Sequence, residues 1–119
     1  MSINSYKELI VWQRAMELVT EVYSTTENYP ETEKYNLILH SRKTSISIPS
    51  NIAEGRRRGT RKDYCHFILI AYGSGAELET QIEIAKRLSF GNDIDFKKTD
   101  QLLEEVMKML NKLLKTLKS

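Results

Sequence analysis

"TSISIPSNIAEGRRRG", residues 44–59, decides the fold, because it is where the chain departs most from a helical pattern. The residues from Ser45 to Ile48 alternate like a strand, and Pro49 is a residue that disrupts helices. The alternation covers only four residues, however, and helical spacing continues on both sides. A lone strand would also leave its backbone groups unpaired. The stretch is therefore predicted to be part of a helix kinked near Pro49 that continues to about Arg57, with a break into two helices at 47–49 as the alternative.

The distinctive motif inside this stretch is predicted to serve structure rather than binding. Pro49 sets a bend, and neighbouring serine and asparagine side chains can hydrogen-bond the backbone groups that a proline leaves open. The residues of the structural motif are Ser47, Pro49, Asn51, Glu54 and Gly55. Gly59 then permits a turn before the next helix.

Elsewhere, apolar and small residues recur every three or four positions, as on one face of a helix. In the first predicted helix, which ends near Asn28, they are Leu9, Trp12, Met16, Val19, Tyr23 and Thr26. In the second predicted helix, the residues that recur at helical intervals are Tyr35, Ile38, Arg42, Ser45, Pro49 and Ile52. In the third they are Tyr64, Ile68, Ala71, Gly75, Leu78, Ile82 and Ala85, and in the fourth Leu103, Val106, Leu110, Leu113 and Leu117. One all-α domain over residues 1–119 is predicted, an antiparallel up-and-down four-helix bundle.

Polar residues at the predicted helix starts indicate where the helices begin. Ser5 and Glu8 have the spacing of a capping box, and Thr60 and Asp63 have that of a weaker one. Asp95 is predicted to cap the fourth helix. In the third helix, Gly75 is predicted to let a neighbouring helix approach closely.

The composition indicates a soluble cytoplasmic protein. Of the 119 residues, 40% are hydrophobic and 29% are charged, as in ordinary globular proteins. Cys65 is the lone cysteine, so no internal disulfide can form. No N-terminal signal pattern is apparent, and the longest apolar run is far shorter than the ~20 residues that span a bilayer.

The charge is unevenly distributed, although the net charge is only +2. Residues 40–62 hold seven basic residues and one acidic residue, a net charge of +6, whereas the rest holds 11 basic and 15 acidic residues, a net charge of −4. Such a segregated positive field attracts polyanions. The predicted nucleic-acid-binding residues are Arg42, Lys43, Arg56, Arg57, Arg58, Arg61 and Lys62. The alternative is a set of arginines that pair with carboxylates of a neighbouring subunit.

Neither catalysis nor a metal site is indicated by the remaining polar residues. The segment from Gly73 to Gly75 lacks the strand and spacing of a nucleophile elbow. Cys65 and His66 are adjacent, so they point about 100° apart on a helix. Asp63 and His66 resemble a single di-metal half-motif, which has no matching second half. No enzyme activity, metal or cofactor is predicted.

The fourth helix indicates self-association. Beside its seam it carries further apolar residues, which are Leu102, Met107, Met109 and Leu114. This apolar band is too wide for one neighbouring pair of helices to cover, and such an excess is typical of a subunit interface.

Several motifs together resemble a known family. They are "VWQRAMELVTEVY", "YPETEKYNL", "SISIPSNIAEGRRRGTRKDY" and "AYGSGAELETQIEIAKRL". They look like the small four-helix-bundle proteins encoded in intervening sequences of bacterial large-subunit ribosomal RNA genes. The resemblance covers residues 6 to about 118, and the segment from Ser47 to Gly55 is its most specific part.

That resemblance implies a left-handed bundle that assembles as a homopentameric ring with a central channel. It also implies likeness to the accessory variability proteins of diversity-generating retroelements, which bind nucleic acid and a reverse transcriptase. The leading hypothesis is therefore a non-enzymatic oligomer that binds ribosomal or other structured RNA through an arginine-rich helix end. The alternative is a protein-interaction scaffold, for example for a reverse transcriptase, without direct nucleic-acid binding.

Overall fold

The computed structural model describes residues 5–119, and over this range the chain forms four long helices and no strand. The helices are α1 (Ile10–Thr26), α2 (Leu39–Arg58), α3 (Arg61–Arg87) and α4 (Lys97–Lys118). Short 3-10 turns lie at Tyr6–Glu8, Glu31–Glu33 and Ser89–Asp93, and one π-helical turn, Lys34–Ile38, leads into α2. The all-α prediction with four helices is confirmed.

The four helices form a bundle around one core. Both α1 and α3 pack against α2 and α4, so that each helix has two neighbours. The core is formed by fully buried side chains from all four helices, among them Leu18, Ile48, Ile68 and Val106. In the described part of the chain, none of the helices has the length and apolarity that crossing a membrane requires.

Helix α2 continues through Pro49, so the alternative of two helices broken at 47–49 is wrong. Polar side chains near the proline donate to carbonyls of the preceding turns, although none of these is the carbonyl of Ser45, which Pro49 leaves without its helical N–H donor. The Ser47 hydroxyl donates to the carbonyl of Thr44 at 2.8 Å, and the Asn51 amide donates to that of Ser47 at 2.7 Å. Ser45 likewise donates to the carbonyl of Arg42 at 2.8 Å. These bonds hold the turns beside Pro49, which is itself buried.

Two glycines lie where helices approach each other closely. A Cβ on Gly55 would lie 2.7 Å from the Cβ of Phe67 and 3.3 Å from the ring of Tyr64, so Gly55 sets the separation of α2 and α3. A Cβ on Gly75 would collide with Sδ of Met107, as expected for a close approach of α3 and α4. Gly55 thus accounts for part of the structural motif.

Gly55→Ala is expected to lower the free energy of unfolding by about 1–3 kcal/mol, because the clash involves a Cβ that no rotamer change can move. Gly73→Ala is the matched control on an exposed helical face, where nothing lies within 4 Å of an added Cβ. It should raise stability by about 0.5–1 kcal/mol through helix propensity. Urea unfolding of both variants measures the difference in their free energies of unfolding. Equal effects of the two substitutions would contradict the close approach of α2 and α3.

The predicted buried faces agree with the structure on α3 and disagree on α1. Every predicted seam residue of α3, from Tyr64 to Ala85, is buried. On α1, Met16 and Tyr23 are each 40% exposed, and the buried residues are Val11, Ala15, Leu18, Val22, Thr25 and Thr26. Apart from Thr26, the predicted α1 stripe is therefore not the buried one. Helix α1 is apolar on two faces, and the face with smaller residues packs into the core.

Two further expectations about buried residues are wrong. Tyr35 is 79% exposed, because it lies on the π-helical turn before α2 begins. On α4, Leu102 and Leu114 are buried within the protomer, and Met107 packs partly buried against the core. The additional apolar residues of α4 therefore pack in the core of the chain itself, and the width of the band gives no evidence of an interface.

The helix starts were predicted with mixed success. The Thr60 hydroxyl accepts from the Asp63 N–H at 3.1 Å, and the Asp95 carboxylate accepts from the Lys97 N–H at 2.9 Å. Ser5, however, caps the separate 3-10 turn by accepting from Lys7, so the predicted capping box does not start α1.

Candidate nucleic-acid interface

Three helix termini meet at one end of the bundle. Helix α2 ends at Arg58, Gly59 adopts the left-handed conformation with φ 90°, and α3 begins at Arg61. The Arg61 guanidinium donates to the carbonyls of Thr116 at 2.7 Å and Leu117 at 3.1 Å, in the last turn of α4. These bonds go to carbonyls at the C-terminal end of α4, of which that of Thr116 also accepts from Ser119, and they hold the α4 terminus against the start of α3.

This arrangement brings lysines of α4 to the predicted arginine cluster. We name this surface the basic end and define it as Arg56, Arg57, Arg58, Arg61, Lys62, Lys112, Lys115 and Lys118. Lys112 lines a cavity together with Tyr64, and Lys115 and Lys118 flank the two carbonyls that Arg61 contacts. Sequence reasoning assigned the lysines only to the helix dipole. The predicted up-and-down order of helices, in which the end of α4 lies beside the start of α3, was the signal from which their place could have been predicted.

The basic end faces solvent. Arg57, Arg58, Arg61 and Lys62 are exposed, and Arg56 is half-buried. Arg58 forms an ion pair with Glu54 at 2.8 Å, in which both side chains are about half exposed. No carboxylate among residues 5–119 pairs with Arg57 or Lys62. Because exposed ion pairs contribute only about 0–1 kcal/mol, the pair with Glu54 leaves Arg58 available to a phosphate.

Each of the three consecutive arginines lies over an aromatic ring. The guanidinium of Arg57 lies 5.7 Å from the ring centre of Tyr6, and that of Arg58 lies 4.9 Å from that of Phe67. Since consecutive helical residues point about 100° apart, the two arginines lie over rings from different parts of the chain. Cation–π contact restricts the guanidinium while leaving its N–H edge open to a ligand.

Arg56 lies over Tyr64, the third ring, at 5.7 Å. Tyr64 is buried at the start of α3, and this burial raises the pKa of its hydroxyl, an effect that the positive charge of Arg56 partly opposes. The ring of Tyr64 thus packs beneath Arg56, and burial favours the neutral form of its hydroxyl.

Arg42 and Lys43 do not join the basic end. They precede Arg56 on α2 by about 14 residues, or about 20 Å along the helix. Arg42 donates to the Thr26 hydroxyl at 2.9 Å and to the Tyr23 carbonyl at 3.3 Å, and its guanidinium stacks on the Tyr23 ring at 4.4 Å. Its contacts cap the end of α1. Lys43 is exposed on the next residue. Nucleic-acid binding by this pair stays a prediction apart from the basic end.

Cys65 and His66 border the basic end. They line an open cavity of about 540 Å³ beside Arg61 and Lys62, and the imidazole of His66 packs edge-on against the ring of Phe67. Among the residues that the structure describes, no group of three or more histidine, cysteine or acidic side chains is arranged to hold a metal ion.

A protein-family model described as 23S rRNA-intervening sequence protein matches residues 7–112 of the chain. The chain belongs to this family. The matched residues include the whole of α1, α2 and α3 and all of the basic end except Lys115 and Lys118. The resemblance drawn from the sequence motifs is thereby confirmed. Comparison with curated proteins finds no match.

Proposed function

We propose that this 23S rRNA-intervening sequence protein is a non-enzymatic cytoplasmic protein that binds structured RNA at the basic end. The observation that carries the proposal is the contact of Arg61 with the last turn of α4, which gathers cations from three helix termini on one exposed surface. Arginine presents a planar fork of N–H donors that suits bidentate contact with phosphate oxygens. Lysines add charge with little directional demand.

Binding of this kind is electrostatic and tolerant of sequence. Each phosphate that a cation neutralises releases counterions, so the affinity falls steeply as salt rises. With about four contacts among the eight cations, the affinity for RNA should fall by roughly 50- to 150-fold between about 50 and 200 mM salt. Fluorescence anisotropy with a labelled RNA hairpin at several salt concentrations measures this slope. An affinity that does not change with salt would overturn the proposal.

A homo-oligomeric scaffold is the second candidate, and exposed apolar residues on α1 and α2 favour it. Met16, Tyr23, Leu39 and Ile46 are each about 40% exposed. A groove of about 340 Å³ between the two helices continues this surface. Exposed apolar surface of this extent is typical of a protein–protein interface. In this reading the arginines of the basic end pair with carboxylates of a neighbouring subunit, and the assembled ring presents a protein partner, such as a reverse transcriptase.

We also propose that the four helices run antiparallel in up-and-down order, that α2 bends at Pro49, and that protomers assemble into a ring of five. A ring needs two different patches on each protomer, because heterologous contacts join unlike surfaces. Besides the patch on α1 and α2, helix α3 exposes Leu69, Ile70 and Ile84. These residues supply the second patch.

Ile46→Asp is expected to weaken self-association by at least about 10-fold, because it removes an apolar side chain of the α1–α2 patch and puts a charge there. Gln101→Asp, on an exposed position of α4 outside the α1–α2 patch, is the matched control and should leave the mass of the oligomer unchanged. Native mass spectrometry over a range of protein concentrations gives the result. The same oligomer in both variants would exclude this patch as an interface.

A further inference from the structure

The basic end has a feature that bears on the kind of RNA it binds: its aromatic rings are already covered. Resting on the proposed function, we infer that the basic end binds base-paired RNA through its phosphates and does not hold unpaired bases by stacking. The inference specifies the ligand class of the proposed site, and it is argued from the three rings beneath the arginines.

Binding of single-stranded nucleic acid normally requires open aromatic platforms, on which each stacked base contributes about 1–3 kcal/mol. At the basic end, Tyr6 lies under Arg57, Tyr64 under Arg56, and Phe67 under Arg58. Tyr64 is buried, and Tyr6 also packs edge-on against Trp12 at 5.5 Å. A base that stacked on any of these rings would have to displace a guanidinium or open the core.

The exposed tyrosine rings lie elsewhere in the described chain, and the exposed imidazole of His66, which borders the basic end, packs edge-on against the ring of Phe67. Tyr23 is near the end of α1, and Tyr35 is on the π-helical turn. Each has its own cation, Arg42 at 4.4 Å and Lys34 at 5.5 Å from the ring centre. Arg42, which lies over Tyr23, precedes Arg56 by about 20 Å along α2, and Tyr35 comes before α2 begins, so these rings cannot serve as platforms for a base held at the basic end.

The distribution of the cations also suits a duplex. They come from the ends of α2 and α4 and the start of α3, and so they span the end of the bundle. The cross-section of the bundle is 27 × 23 Å between Cα extremes. A single strand offers its phosphates along one line, whereas a duplex offers two strands across a groove. Double-stranded RNA is recognised in this way, by shape and by contacts to phosphates and 2′-hydroxyls.

The test compares two RNA probes with equal numbers of phosphates: a duplex of about 20 base pairs and an unstructured single strand of about twice that length. Both are titrated by anisotropy at the same salt concentration, with the full-length protein. The duplex is expected to bind at least about 10-fold more tightly, and a duplex of shuffled sequence should bind equally well. The Tyr35→Ala variant should keep the same preference.

The outcomes separate the inference from the proposed function. If the single strand binds as tightly as the duplex or more tightly, the inference is wrong while RNA binding stands. If neither RNA binds, both are overturned. If the shuffled duplex loses affinity, base readout contributes and the phosphate-only contact is contradicted.

Discussion

Replacing Arg56, Arg57 and Arg58 together with alanine is expected to lower the affinity for RNA by about 10- to 1000-fold at about 100 mM salt. Near this salt concentration, the loss of one phosphate contact lowers the affinity by up to about 10-fold, because fewer counterions are released on binding. The range allows for arginines that do not all contact phosphate at once. The slope of log affinity against log salt should become shallower by about one to three. Anisotropy with the same RNA hairpin measures both quantities.

The matched control removes the same number of positive charges from elsewhere in the bundle. Arg87, Lys97 and Lys98 are exposed near the end of α3 and the start of α4, away from the basic end. Their replacement with alanine should change the affinity by less than about 3-fold, through net charge alone. Circular dichroism confirms that each variant is folded. Equal losses in the two triple variants would show that RNA responds to total charge and not to the basic end.

Leu18→Ala is expected to lower the free energy of unfolding by about 2–5 kcal/mol, and Met16→Ala by less than about 0.5 kcal/mol. The two residues are close on the same helix, but Leu18 is fully buried whereas Met16 is 40% exposed. Removing the leucine leaves a cavity, while removing the methionine changes mainly solvent-facing surface. Urea unfolding at low protein concentration measures both, so that self-association does not contribute.

This pair of variants distinguishes the two apolar faces of α1. A large loss for Met16→Ala together with a small loss for Leu18→Ala would mean that the predicted stripe, and not the observed one, faces the core. A loss for Met16→Ala that grows with protein concentration would instead place Met16 at the subunit interface, which is where the proposed ring requires it.

The sequence predicted the fold well wherever one face of a helix was clearly more apolar than the others. On α3 the small and apolar residues from Tyr64 to Ala85 recur on a single face, and every one of them is buried. Helix α1 is different because apolar residues line two of its faces, and periodicity alone cannot choose between them. Which face is buried depends on the neighbouring helices, because they can pack closer to a face with small residues such as Ala15 than to one with Met16.

About half of the basic end could be predicted from the sequence. The arginines follow one another along the chain, so their charge is visible in a short window. Lys112, Lys115 and Lys118 lie about 50 residues further on, and only the packing of α4 against α3 brings them near Arg61. The separate use of Arg42 as a cap for α1 depends on its contact with Thr26, which periodicity does not reveal.

The most direct test of the central account is hydrogen exchange of backbone amides, measured by mass spectrometry with and without an RNA hairpin. The account predicts that RNA slows exchange in residues 54–66 and 110–118, the two segments that carry the basic end. Residues 87–98, which contain the control cations Arg87, Lys97 and Lys98, should be unaffected. Slowed exchange confined to residues 87–98, or no change at any position under conditions where RNA binds, would contradict it.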